Sequence, residues 1–123
     1  MLPDIITAYI AAYNAKDVDA MLATLSDDVR FENVSSGETT HVTEGKDAFA
    51  QLAHRGVTLF SERRQTVTNV IAGGDRVAVE IDYHAVVAID LPNGWKAGDV
   101  VDLTGTSFFR VWDGLICDIV DIA

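Results

Sequence analysis

Arg76-Val77-Ala78-Val79-Glu80-Ile81-Asp82-Tyr83-His84-Ala85-Val86-Val87-Ala88-Ile89 decides the fold. Val77, Val79, Ile81, Tyr83, Ala85 and Val87 fall on one face of an extended chain, because successive side chains of a strand point to opposite sides. Ala78, Glu80, Asp82, His84 and Val86 fall on the other. Gly73-Gly74-Asp75 before the stretch and Pro92-Asn93-Gly94 after it are turn signals, so the strand is one arm of an antiparallel meander. Glu62 to Ala72 reads as the strand before it. Val100 to Trp112 and Leu115 to Ala123, joined by the turn Asp113-Gly114, read as the strands after it. Strands this long exceed the usual five or six residues and must twist and coil, with Gly105 a natural place to bend.

The region upstream reads as helices. Pro3 suits a first helical turn and Asp4 complements the dipole there. Ile5, Tyr9, Ala12 and Tyr13 recur at helical spacing. Asp17 can cap a second helix whose Val18, Met21, Leu22 and Leu25 face one way, with Ser26-Asp27-Asp28 ending it. Val29 to Val34 is a short strand, and the polar stretch from Ser35 to Val42 reads as a loop. A third helix runs from about Gly45 to Arg55, burying Phe49, Leu52 and Ala53, with Gly56 placed to terminate it. Helices followed by an antiparallel meander indicate an α+β domain occupying residues 1–123, with helices closing a curved sheet around a pocket.

Composition narrows the function. The chain has 123 residues and a net charge of −10, which repels phosphate backbones and anionic lipid, so neither nucleic acid nor membrane is an expected partner. Cys117 is the single cysteine, so no intrachain disulfide can form and a reducing compartment fits. With no signal-peptide pattern and no apolar run long enough to span a bilayer, a cytoplasmic protein is expected. Asn33-Val34-Ser35 matches a glycosylation sequon and is read as chance.

Tyr9-Ile10-Ala11-Ala12-Tyr13-Asn14-Ala15-Lys16-Asp17-Val18-Asp19-Ala20-Met21-Leu22, followed by Ser26-Asp27-Asp28-Val29-Arg30-Phe31-Glu32-Asn33, resembles the opening of ketosteroid isomerases and equally of SnoaL-like polyketide cyclases. Both belong to the nuclear transport factor 2-like superfamily. Gly45-Lys46-Asp47-Ala48-Phe49 is similar to the start of that superfamily's third helix, and Phe108-Phe109-Arg110-Val111-Trp112-Asp113-Gly114-Leu115-Ile116 to its penultimate hairpin. The resemblance implies a cystatin-like fold with an internal pocket, and a homodimer formed through the outer sheet face. Ala78, Val86, Thr104, Phe108 and Trp112 make that face apolar enough for an interface.

By the resemblance, Tyr9 stands where ketosteroid isomerases keep their oxyanion-binding tyrosine. Asn33 stands where they keep the aspartate that shuttles the proton, and Ser107 about where a second, protonated aspartate lies. An amide is no base at neutral pH, and a hydroxyl donates more weakly than a neutral carboxylic acid, so a standard ketosteroid isomerase is not expected. The resemblance turns Val77, Val79, Ile81 and Tyr83 inward, together with Cys117, Ile119, Asp121 and Ala123. Alternation from Ser107 adds Leu103, Gly105, Phe109 and Val111 to the inner wall.

The candidate catalytic pair is therefore Asp121 and Tyr9. A carboxylate among Ile119, Phe109 and Val79 would be desolvated and its pKa raised toward the range of a useful base, whereas a one-residue slip of the strand would leave it in water. Tyr9 either donates to a ligand oxygen or fills the core with its ring. Asn33, Ser107, Tyr83, Tyr13, Phe109 and Leu52 are the candidate substrate-binding residues around a small apolar molecule. Glu80, Asp82 and His84 share a strand face, but the outer two lie about 13 Å apart at the strand rise and cannot readily converge on one ion. His41 and His54 have no spacing partner. No metal and no cofactor are expected. The function implied is a SnoaL-like cyclase, isomerase, dehydratase or hydrolase; the alternative is a non-catalytic ligand-binding or dimeric interaction domain.

Overall fold

The computed structural model describes residues 2–123. Three helices precede and interrupt one six-stranded sheet: α1 (Asp4–Asn14), α2 (Val18–Leu22), β1 (Leu25–Ser35), β2 (Glu38–Glu44), α3 (Lys46–Leu59), β3 (Phe60–Gly73), β4 (Arg76–Val87), β5 (Val100–Trp112) and β6 (Leu115–Ile122). The spatial order is β2-β1-β6-β5-β4-β3. Every neighbouring pair is antiparallel except β1 and β6, which run parallel and close the meander onto the N-terminal hairpin.

The alternation of β4 sets the core. Val77, Val79, Ile81, Ala85 and Val87 are buried, and the first three pack with Ile6, Tyr9 and Ile10 of α1, Met21 of α2 and Phe49 of α3. The helices therefore cover the same sheet face that the period-two pattern assigns to the interior. Each large side chain buried there contributes roughly 1.5–3 kcal/mol of transfer free energy. Asp17 caps α2 as expected, its Oδ1 accepting from the Ala20 N–H at 3.0 Å.

Three boundaries differ from the sequence reading. The stretch from Ser35 to Val42 is not a loop: Ser36 (φ 53°) and Gly37 (φ 80°) form a tight turn, and Glu38–Glu44 returns as β2. Almost every β2 side chain is exposed, so the strand carries no apolar alternation to betray it. The second helix stops at Leu22, and Leu25 is buried as the first residue of β1. The third helix runs through Gly56 to Leu59. Gly56, expected to stop the helix, lies inside it, and a Cβ there would make an ordinary contact of 3.6 Å with Arg63 Nη1.

The last correction positions the site. In β6 the register to β5 shifts by one residue, pairing Val111 with Ile116 but Arg110 with Asp118. Cys117 is the extra residue. The expectation that Cys117 faces inward is overturned, because the bulge places its thiol in a hollow with Arg30, Arg110 and Trp112, where it donates to the Arg110 carbonyl at 3.5 Å. Beyond the bulge the facing is reset. Ile119 comes opposite Phe109, and Asp121 opposite Ser107, on the helix-covered face. An unbroken alternation from buried Ile116 would have turned Asp121 outward. Re-aiming a side chain is a common use of a β-bulge.

Candidate active site

β5 and β6 present Ser107 and Asp121 side by side, and the Ser107 hydroxyl donates to Asp121 Oδ1 at 2.6 Å. Asp121 keeps some exposure as a residue, yet its carboxyl is walled by the core, and burial raises its pKa from 3.8 to about 6 against the opposing pull of the Ser107 hydrogen bond. The group is thus ionised at neutral pH yet basic enough to accept a proton.

Tyr9 reaches the same region from α1. It is only 4% exposed, with its ring edge-on to Phe109 at 5.9 Å and tilted against Phe49 at 6.5 Å. Burial, then the Asp121 charge, drive its pKa far up, while Arg63 pulls it down. Its hydroxyl therefore stays protonated at any working pH and can donate. None of the hydrogen bonds among the described residues uses it.

A second polar group adjoins the first. The Tyr13 and Tyr83 hydroxyls share a hydrogen bond at 3.0 Å, and the Arg63 guanidinium lies 3.7 Å from the Tyr13 ring centre. Arg63 is 7% exposed, and its Nε donates to the Tyr13 carbonyl at 3.2 Å. Burial raises the pKa of both tyrosines, most strongly for Tyr13, and the Arg63 charge opposes it in each. Asp121 acts on Tyr83 as well as on Tyr9, so the two polar groups share one electrostatic neighbourhood.

The sequence candidates therefore separate. Asp121, Tyr9, Ser107 and Phe109 come together, with Tyr13 and Tyr83 beside them. Leu52 is partly buried against the core cluster on α3. Asn33 lies next to Asp121 in the β1–β6 register, but its amide nitrogen donates to Ser35 Oγ at 3.1 Å and Thr40 Oγ1 at 2.8 Å. Its donor is committed to the β1–β2 hairpin and is not free for substrate. Leu103, expected on the inner wall, is 41% exposed. Phe31, Phe49, Tyr9 and Phe109 form one aromatic cluster on the inner wall. Two surface hollows, of about 440 and 420 Å³, lie away from Asp121: one around Arg30, Arg110 and Trp112, another around Lys16, His54 and Val57.

Sequence reasoning missed Arg63. It sits in Glu62-Arg63-Arg64-Gln65, which looks like a solvated charged run. Yet Arg63, Gln65 and Val67 share a parity, and Arg63 pairs with buried Ala85, so the alternation extended from Val67 could have found it.

The family model described as SnoaL-like domain matches residues 6–119. A candidate polyketide cyclase from Xanthomonas campestris pv. campestris superposes with a TM-score of 0.82 at 30% identity, over 98% of this chain and 87% of the other. Another from Silicibacter sp. TM1040 gives 0.82 at 29%, over 96% and 85%. A Catenulispora acidiphila protein described as having a ketosteroid isomerase-like fold gives 0.80 at 18%, over 98% and 85%, a likeness of fold alone. Among curated proteins none matches this chain.

Proposed function

Because the chain belongs to the SnoaL-like domain family, we propose that it is an enzyme that moves a proton on a small, largely apolar carbonyl compound, using side chains as acid and base. The observation that carries the reading is the Ser107–Asp121 pair beside Tyr9, with the carboxyl held at a pKa of about 6. Asp121 removes a proton from the carbon next to the carbonyl. The electron pair of that C–H bond moves onto the carbonyl oxygen, giving an enolate. The Tyr9 hydroxyl donates a hydrogen bond to that oxygen, and it cannot itself ionise and lose its donor. Ser107 fixes the carboxylate through its single hydrogen bond. Return of the proton to a different carbon is an isomerisation. Attack of the enolate carbon on a second carbonyl forms a C–C bond, and the new alkoxide takes the proton back from Asp121, which is a cyclisation. Neither outcome consumes a further reagent. The candidate cyclases among the structural neighbours support this class.

The test is deuterium uptake at the α-carbon of 2-tetralone in D₂O, followed by NMR. The protein is expected to accelerate uptake over buffer. The rate should rise with pH through about 6 and level off above it, since the base form of Asp121 is the active one. The groups that face this carboxyl are Ser107 on β5, Tyr9 on α1, Tyr83 on β4 and Asn33 on β1; none of these titrates near pH 6, so a single step is expected. Uptake no faster than buffer would end the proposal.

A second reading has one observation in its favour. Phe108 and Trp112 lie on the sheet face away from the helices, exposed at 47% and 63%. A homodimer through that face is proposed, and in the extreme the chain serves as a dimeric interaction domain. Sedimentation equilibrium at micromolar concentration is expected to return twice the chain mass; a monomer at every concentration removes the dimer.

A further inference from the structure

A cation buried without an acid demands a partner. Arg63 is more than nine-tenths buried, and among the described residues no carboxylate lies within ion-pair distance of it. Its charge cannot be shed, because a guanidinium stays protonated in proteins. The fold satisfies it only in part. Nε reaches the Tyr13 carbonyl, and the Tyr13 ring offers its electron-rich face. Nη2 is enclosed and finds no acceptor among the described residues. A buried guanidinium left short of a partner is costly, and the cost is recovered when a group of opposite charge completes the pair. The rest of the chain, at a net charge of −10, offers many acids, yet none is placed there.

We propose that Arg63 is the anion-recognition residue of the site, and that the substrate carries an ionised carboxylate alongside the carbonyl group on which Asp121 and Tyr9 act. The planar fork of arginine matches a carboxylate, which accepts two parallel N–H donors. The Tyr13–Tyr83 hydroxyl pair lies beside the guanidinium, and because one hydroxyl donates within the pair, the other keeps the one proton that can be donated outward. On α3, Gly56 lies against the same guanidinium, where a Cβ would sit 3.6 Å from Nη1. A purely structural clip between α1 and β3 would need Nε and the ring contact alone, and it would leave the second amino group without purpose. The inference rests on the proton-transfer reading for the location of the carbonyl, but the carboxylate contact can fail or stand independently of that chemistry.

The experiment titrates the full chain with sodium benzoate and, separately, with benzamide, its neutral counterpart of nearly the same shape, read by ¹H–¹⁵N chemical shifts. Benzoate is expected to bind at least about tenfold more tightly than benzamide, with the Arg63 side-chain Nε resonance among the shifted signals. Arg63→Met should erase the preference. Arg63→Lys, which keeps charge and stem but loses the fork, covers the case in which the methionine variant does not fold, and should weaken it. Equal affinity for the two probes, no benzoate binding at millimolar concentration, or a preference that survives the loss of the guanidinium would overturn the inference. The neutral 2-tetralone assay separates the two readings. If Arg63 recognises nothing, proton exchange on that ketone persists; if the chemistry is absent, the benzoate preference persists.

Discussion

Replacing Asp121 with asparagine is expected to slow 2-tetralone exchange by about 10²–10⁴-fold, the usual worth of a positioned base, and to make the fold more stable above pH 6. The two effects have one cause. The carboxyl titrates near 3.8 in an unfolded chain and at about 6 in the fold, so the folded state prefers the protonated form. The sign follows: stability is unpenalised below about pH 4, falls as pH rises through the interval up to about 6, and stays reduced above it. A shift of about two units corresponds to up to about 3 kcal/mol, less whatever the partial exposure of Asp121 and the new, poorly partnered amide N–H of asparagine take back. Ser107 can donate to the asparagine Oδ1 as it does to the carboxylate. Urea unfolding at pH 4 should therefore give variant and wild type similar stabilities, and at pH 8 the variant should be the more stable. A base retained for chemistry at a cost in stability predicts this crossing of activity and stability. A carboxylate that merely tied β5 to β6 predicts that its loss weakens the fold at pH 8, and that result would count against the assignment.

The ease of reading this chain varied with how local the determining physics is. The β4 alternation from Val77 to Val87 was legible because each inward residue is apolar and buried by the helices, so pattern and packing agree. The same logic failed for β2, which is held by backbone pairing to β1 and buries almost nothing; an exposed polar strand and a polar loop have the same composition. It failed differently at Cys117. A bulge is decided by how β6 must fit simultaneously against β5 and β1, and neither Val111-Trp112 nor Ile116-Cys117 announces it. The resemblance placed Asp121 inward correctly, yet assigned Cys117 the same face, which simple alternation requires and the bulge undoes. Asn33 was placed on the right face, but its hydrogen bonds run to Ser35 and Thr40, partners that exist only once the hairpin is known. Arg63 is the reverse case: its parity with Val67 was readable, but nothing in Glu62-Arg63-Arg64-Gln65 marks a buried charge, and it was not singled out.

Tyr9→Phe separates the two readings that the sequence alone left level. A tyrosine kept for packing has a satisfied hydroxyl, and its loss costs about 1 kcal/mol. A tyrosine kept for chemistry has a hydroxyl that waits for substrate. The ring contacts to Phe49 and Phe109 survive the substitution, because phenylalanine presents the same edges. No hydrogen bond among the described residues is lost with the oxygen, and burial of that oxygen is the first cause of its raised pKa. The variant is therefore expected to unfold at the same urea concentration as wild type or slightly higher. Its exchange rate on 2-tetralone should nevertheless fall by roughly 10²-fold or more, the cost of removing one donor to a developing oxyanion. The pH midpoint of the remaining rate should stay near that of Asp121, since the base is untouched and Tyr9 is neutral across the range. A variant that exchanges like wild type but is less stable would return Tyr9 to the core. A variant that folds normally and has lost the rate would mean that α1 supplies the oxyanion donor to a base that the β6 bulge has turned toward it.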